Sequence, residues 1–124
     1  MSNTSKSSED YLETILLIEK SKGEVKSIDI ANMKKVSRPS VNKALKTLIN
    51  LGYVKKESYG NVYLTDLGRE KALSIHSKHS IINNFLIKVL GVTPLVAEKD
   101  ACHIEHILSD ETLNKLNIFL NNYL

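Results

Sequence analysis

Cys102, Glu105 and His106, in the stretch Asp100-Ala-Cys-His-Ile-Glu-His106, place a thiolate, a carboxylate and an imidazole at positions i, i+3 and i+4. On a continuous helix these side chains project from one side. Together they suit a divalent transition ion, and the sulfur pulls selectivity towards the softer end of the first row. Glu98, one turn earlier, shares that side. One helix face supplies only a few converging ligands, so further donors must come from elsewhere. His79, and Asp10 with Glu13, are the candidates. The alternative is a buried cysteine acting as a small hydrophobe, beside a solvated Glu105 and His106.

The elements that must position such a cluster fit within 124 residues, enough for one compact unit or two small subdomains. Hydrophobic residues at 42% and charged residues at 25% describe a folded globular chain rather than a disordered one. The apolar runs Ile15 to Ile18 and Phe85 to Leu90 are far too short to span a bilayer. No apolar segment at the N-terminus reads as a signal peptide. Cys102 is the single cysteine and cannot form an intramolecular disulfide, so the expected compartment is a reducing cytoplasm.

The formal charge of +3 is mild, but its distribution is uneven. Lys20, Lys22, Lys26, Lys34, Lys35, Arg38, Lys43, Lys46, Lys55 and Lys56 face only Glu24 and Asp29 in their stretch. Between Ala97 and Glu111 the balance reverses, with Glu98, Asp100, Glu105, Asp110 and Glu111 against Lys99. A basic half joined to an acidic half fits a polyanion-binding region linked to a cation-binding one. Solvated surface lysines explain the basic half alone nearly as well.

The order of elements separates those readings. Ser8 to Ser21 has helical periodicity in Tyr11, Leu12, Ile15, Leu16 and Ile18, with Ser8 as cap and Gly23 as stop. Ser27 is expected to cap a short helix carrying Ile28, Ile30, Ala31 and Met33. Ser37 then caps a longer helix with Pro39 in its first turn and Val41, Ala44, Leu45, Leu48 and Ile49 along one side. Tyr53 to Glu57 and Asn61 to Thr65 alternate like strands around Ser58-Tyr59-Gly60. Two short helices, a turn, a capped helix and a hairpin make a winged helix-turn-helix.

In that fold the capped helix enters the major groove of duplex DNA. Its leading residues Ser37, Arg38, Pro39, Ser40, Asn42 and Lys43 are the candidate base readers, Asn42 for adenine edges and Lys43 for guanine. Lys26, Lys34, Lys35 and Lys46 are placed for phosphates, Lys55, Lys56, Tyr59 and Asn61 for wing contacts, and Ser27 is a further DNA-binding candidate. Beyond it, a helix capped by Asp66 runs to Gly91, with His79 on its buried line as either a satisfied core residue or a ligand. Pro94 opens a helix reaching Leu108, and Ser109 caps a last one. Apolar faces around Phe85, Leu86, Leu116 and Phe119 exceed what a small helical domain needs, so a two-fold homodimer on a palindromic operator is expected.

These residues converge on a family. The chain resembles the diphtheria toxin repressor and manganese transport regulator family of metal-dependent repressors. The resemblance is carried by Ser8-Glu-Asp-Tyr-Leu-Glu13, Ser27-Ile-Asp-Ile-Ala31, Val36-Ser-Arg-Pro-Ser-Val41, Tyr63-Leu-Thr-Asp-Leu-Gly68, His79 with Phe85-Leu86, Asp100-Ala-Cys-His-Ile-Glu-His106 and Leu108-Ser-Asp-Glu111. It implies a mainly α fold: a winged helix-turn-helix DNA-binding domain over residues 1–73, then an all-helical dimerisation and metal-binding domain over 74–124. The expected form is the short, two-domain one without an SH3-like domain.

The resemblance also implies a ligand set of Asp10, Glu13, His79, Cys102, Glu105 and His106, with Glu98 as an additional metal residue. Its character is mixed. Asp10 stands where iron-type members have methionine, and Cys102 where many manganese regulators have glutamate. Asn83 and Glu98 stand where iron-type members have a carboxylate and a histidine. Hard Asp10 and Glu13 favour Mn(II) or Fe(II), while the thiolate favours Fe(II), Co(II) or Zn(II). The implied function is repression of metal-homeostasis genes when Fe(II) or Mn(II) is bound. The rival readings are a winged-helix regulator responding to an organic ligand or to oxidation of Cys102, and a small metalloenzyme. The enzyme reading lacks chain length for a substrate pocket.

Overall fold

The computed structural model describes residues 5–58 and 60–123. Contacts divide the chain into two compact units, Met1–Leu73 and Ser74–Leu124. The architecture is mainly helical, with a winged helix-turn-helix first and an all-helical unit after it.

In the first unit α1 spans Lys6–Lys22. Ser5, not Ser8, is its cap: the Ser5 side chain accepts the Ser8 N–H at 3.1 Å, and Ser8 itself is buried. The helix stops at Gly23, whose φ of +87° needs no Cβ and whose N–H donates to the Glu19 carbonyl. Helix α2, Ser27–Lys34, is capped from its third position, where the Asp29 carboxylate accepts the Lys26 N–H at 3.0 Å. Ser27 is therefore the first helical residue rather than the cap. Helix α3, Arg38–Asn50, begins as expected, with Ser37 accepting the Ser40 N–H at 3.2 Å and Pro39 in the first turn.

Strands β2, Val54–Lys56, and β3, Asn61–Leu64, form the wing hairpin, each shorter than the alternation in the sequence. A two-residue strand, β1 at Val25–Lys26, joins β3 on its other edge and gives the order β1-β3-β2. Val54 opposite Leu64, and Val25 opposite Val62, point inwards. They close a core with Leu12, Ile15 and Leu16 of α1, Ile30 of α2 and Val41, Leu45 and Leu48 of α3.

Helix α4, Asp66–Asn84, leaves the wing through a tight joint. The Thr65 hydroxyl donates to the Gly52 carbonyl at 2.7 Å and accepts the Gly68 N–H at 3.0 Å. Thr65, not Asp66, is thus the cap. The Thr65 N–H donates to the Tyr53 carbonyl at 3.0 Å. Gly68 packs so closely on this carbonyl that a Cβ would collide with the Tyr53 oxygen.

In the second unit α4 passes into a π-helical turn, Phe85–Val89, that ends at Gly91 with φ +74°. Helix α5, Pro94–Ile104, stops four residues before the expected Leu108. There the His106 N–H turns back to the His103 carbonyl, and Leu108 packs beside the core of Ile82, Ala101 and Leu113. Helix α6, Asp110–Tyr123, starts from Ser109, which accepts the Thr112 N–H at 3.2 Å. Leu86 packs against this core, whereas Leu95, Ile107, Ile118, Phe119 and Tyr123 stay exposed. Phe119 meets Phe85 edge-on at 6.1 Å and stacks on Tyr123 at 5.7 Å. Among the described residues no helix is long and apolar enough to cross a membrane.

Replacing Gly68 with Ala is expected to lower unfolding stability by about 1–3 kcal/mol through overpacking. Thr65→Val should act in the same direction by about 1 kcal/mol. Denaturant titration followed by circular dichroism checks both. A Gly68→Ala midpoint equal to wild type would mean that the joint is not this tight.

Candidate metal centre and nucleic-acid interface

The leading face of α3 is built for display. Val41, Leu45 and Leu48 bury one side, which leaves Arg38, Pro39, Ser40, Asn42, Lys43 and Lys46 exposed on the rest. Ser37 is exposed too, its hydroxyl 2.9 Å from that of Ser40. Lys35 sits in the left-handed turn between α2 and α3, with φ 57°, and Lys26 lies exposed at the end of β1. Two expected contacts change. Lys34 lies over the Tyr11 ring at 4.6 Å, a cation–π contact rather than a free phosphate ligand. Ser27 is only 7% exposed, so its hydroxyl is not on the surface to meet DNA. Tyr59 lies outside the described residues.

Of the expected metal ligands, Asp10 and Glu13 lie on α1 in the first unit, Asp10 half-buried and Glu13 buried. The others belong to the second unit. Helix α5 buries Ala97 and Ala101 and presents Glu98 and Cys102 one turn apart. Helix α4 contributes His79. The ligand atoms of His79, Glu98 and Cys102 lie within 4.8 Å of one another. Helix α5 ends at Ile104, but Glu105, its C-cap, keeps helical dihedrals with its N–H on the Ala101 carbonyl. Cys102 and Glu105 therefore hold the expected spacing, and only His106, whose N–H turns to the His103 carbonyl, departs from it. Glu105 caps the helix with its side chain buried, and His106 follows in the turn, half-buried.

Glu105 is the centre of this arrangement, with a side chain 0% exposed. Its Oε2 lies 2.9 Å from His79 Nδ1, and its Oε1 lies 3.3 Å from His106 Nε2. The other His79 nitrogen, Nε2, lies 2.9 Å from Glu98 Oε2. His79, 8% exposed, is thus both a core residue and a member of a charged cluster, and the two readings of its position do not exclude each other.

The hydrogen bond with Glu105 raises the His79 pKa to about 9; burial opposes the rise, while Glu98 and both negative charges add to it. A divalent ion and a proton compete for the same ring nitrogen. One helical turn beyond His79, the Asn83 amide oxygen is buried without a hydrogen-bond partner among the described residues. Sulfur, imidazole and buried carboxylate form a donor set that fits a first-row divalent ion. Asn83 stands where iron-type members have a carboxylate, and its orphaned oxygen is a packing fact that no sequence spacing encodes.

A winged helix with an exposed reading face and a compact cluster of metal donors defines a metal-linked DNA-binding protein. The N-terminal DNA-binding profile of the iron dependent repressors matches residues 3–62, and their metal-binding and dimerisation profile matches residues 65–123. The chain belongs to the iron-dependent repressor family, the metal-dependent DNA-binding repressors of transcription. It is 39% identical over 120 residues to an uncharacterised helix-turn-helix-type transcriptional regulator of Methanocaldococcus jannaschii, covering 96% of both chains. To the transcriptional regulator MntR of Salmonella typhimurium it is 39% identical over 117 residues, covering 93% of this chain and 73% of that one. The solved manganese regulator SloR superposes with a TM-score of 0.82 at 32% identity over 92% of this chain. The chain spans only 53% of that structure's length. This membership selects the metal-dependent reading over a regulator of organic-ligand or cysteine-oxidation type.

The raised His79 pKa has a defined sign. Folded protein holds a proton that the unfolded chain releases above the usual 6.5, so this group's stabilisation is complete below about 6.5 and is lost as pH rises through about 9. In chelator-treated protein the His79 imidazole is expected to titrate near 9, and Glu105→Gln should bring it down towards 6.5. Imidazole NMR across that range checks this. A wild-type midpoint near 6.5 would show that the carboxylates do not hold the ring.

Proposed function

We propose that this protein senses Fe(II) or Mn(II) in the cytoplasm and, when loaded, represses genes of metal homeostasis by binding a palindromic operator as a homodimer. It acts by binding rather than by turnover. Residues 1–73 form the DNA-binding domain and residues 74–124 the dimerisation and metal-binding domain. The observation that carries the reading is the buried Glu105 carboxylate between two imidazoles, with Glu98 and Cys102 beside His79.

The ligand set is the one that the sequence resemblance implies: Asp10, Glu13, His79, Cys102, Glu105 and His106, with Glu98 additional. When bound, a divalent cation supplies the positive charge that these carboxylates need and accepts lone pairs from sulfur, nitrogen and oxygen. His79 gives up its proton, which its carboxylate neighbours otherwise retain. With Asp10 and Glu13 of α1 in the proposed ligand set, metal affinity and operator affinity are linked in both directions. The choice between iron and manganese rests on mixed support: the matching profiles are named for iron, SloR is a manganese regulator, and Cys102 adds a soft donor. Co(II) and Zn(II) are expected to bind in vitro. The exposed Leu95, Ile107, Ile118 and Phe119 supply apolar surface for the second copy.

On the DNA, Asn42 and Lys43 read base edges, while Lys26, Lys35 and Lys46 hold phosphates, with Ser37, Arg38, Pro39 and Ser40 at the groove floor and rim.

Anaerobic titration of operator binding with Mn(II), Fe(II), Co(II) and Zn(II) tests the whole reading. Metal is expected to strengthen binding, and Cys102→Glu should shift preference towards Mn(II). Binding indifferent to metals and chelators would refute it. Separately, Asn42→Ala or Lys43→Ala should relax sequence preference, whereas Lys35→Ala or Lys46→Ala should weaken all duplexes alike and reduce the salt slope by about one. If all four variants kept wild-type affinity and preference, the groove placement of α3 would be wrong.

A further inference from the structure

We propose that Arg69 and Lys71 are positioning residues that clamp α1 to the start of α4, and that this clamp carries a displacement of α1 to the recognition helix α3. The proposal rests on the metal-activated reading above and adds the residues that transmit the signal.

The clamp has two jaws. Arg69 donates from Nη1 to Glu19 Oε1 at 2.6 Å and from Nη2 to Glu19 Oε2 at 2.9 Å, a bidentate fork that fixes angle as well as distance. Lys71 Nζ lies 3.3 Å from Glu9 Oε2. These side chains are 20% and 13% exposed, so solvent screens the pair less than an open surface bridge. Glu9 lies in the first turn of α1 and Glu19 near its end. Arg69 and Lys71 are neighbours in the opening turns of α4 but point to different sides of it, since each residue advances about 100° around the axis. One bridge fixes α1 against α4 at a single point; two at opposite ends also fix its angle.

The start of α4 is itself fastened to the end of α3. Thr65 bonds the Gly52 and Tyr53 carbonyls, Gly68 packs against Tyr53, and the Tyr53 N–H donates to the Leu48 carbonyl of α3 at 3.0 Å. The connection therefore runs from α1 through two ion bridges to α4, and from α4 through hydrogen bonds and a close contact to α3. Asp10 and Glu13, the candidate ligands of the first unit, lie on α1, Asp10 directly after Glu9. Any shift of α1 that follows their engagement reaches α3 by this route. The apolar core that α1 shares with α3 is a competing route, but apolar contact is non-directional and tolerates small sliding.

The test uses the full chain, Mn(II) as the probe and a duplex carrying the operator. Arg69→Met and Lys71→Met are combined, and the exchange Glu19→Arg with Arg69→Glu is made separately. In the double Met variant the gain in operator affinity on adding Mn(II) is expected to fall about tenfold, a coupling loss near 1.4 kcal/mol, while metal-free binding to DNA stays unchanged. Arg69→Glu alone should lose the gain, and the exchanged pair should recover most of it, which a purely structural role would not produce. Amide hydrogen exchange gives a readout independent of metal: α1 should exchange faster in the double Met variant whether or not Mn(II) is present. A wild-type gain in the double Met variant, a well-folded exchanged pair that recovers nothing, or unaltered α1 exchange would each overturn the clamp. Wild-type protein whose DNA binding ignores Mn(II), with α1 exchange still sensitive to the clamp, would instead overturn the metal-activated reading.

Discussion

The second unit is organised around one buried carboxylate. Taking a carboxylate such as Glu105 out of water costs on the order of several kcal/mol unless positive charge and hydrogen bonds replace the solvent. His79 provides that replacement on Oε2, at 2.9 Å, while His106 Nε2 lies 3.3 Å from Oε1. Glu105 reaches its buried place while still in helical geometry, its N–H on the Ala101 carbonyl, and the chain tightens only after it, at His106. The same need explains why His79 lies on the buried line of α4 without being an apolar residue. The raised His79 pKa means that the ring holds its proton between two carboxylates, and a divalent ion would compete with that proton for the same nitrogen.

The first unit depends on a different kind of constraint, that of close approach. Gly68 and Thr65 bring the start of α4 onto the corner between α3 and β2, where the space and the hydrogen bonds leave no freedom. The recognition helix is presented by burying Val41, Leu45 and Leu48, and it is held in place at its C-terminal end by this joint. Its N-terminal residues are thereby free to meet a ligand, as Ser37 and Pro39 secure only the first turn.

Much of this was legible in the residues. Helical periodicity in α1 and α3, the cap at Ser37 and the alternating wing identified the winged helix, because local spacing determines each of them. Strand β1 was not legible: two residues carry no pattern, and their pairing with β3 depends on a contact far along the chain. The caps at Ser5 and Thr65 were each displaced from the expected residue, since several neighbouring polar side chains could serve and only packing decides among them. The end of α5 carried no glycine or proline signal. The candidate ligands were legible as residue types, but the central role of Glu105 and the orphaned oxygen of Asn83 arise from how α4 and α5 pack.

This packing separates two properties that a metal sensor must combine. Charge is set deep in the unit, by the 0%-exposed side chain of Glu105, whereas Cys102 is half-buried and the Glu98 side chain is 60% exposed. The deep carboxylate requires some cation and discriminates little among divalent ions. In the proposed ligand set Cys102 is the soft donor, and it is not itself a fully buried element of the core. If Cys102 is a ligand as proposed, a change at position 102 alters the donor chemistry while leaving the buried pairing of His79 and Glu105 in place.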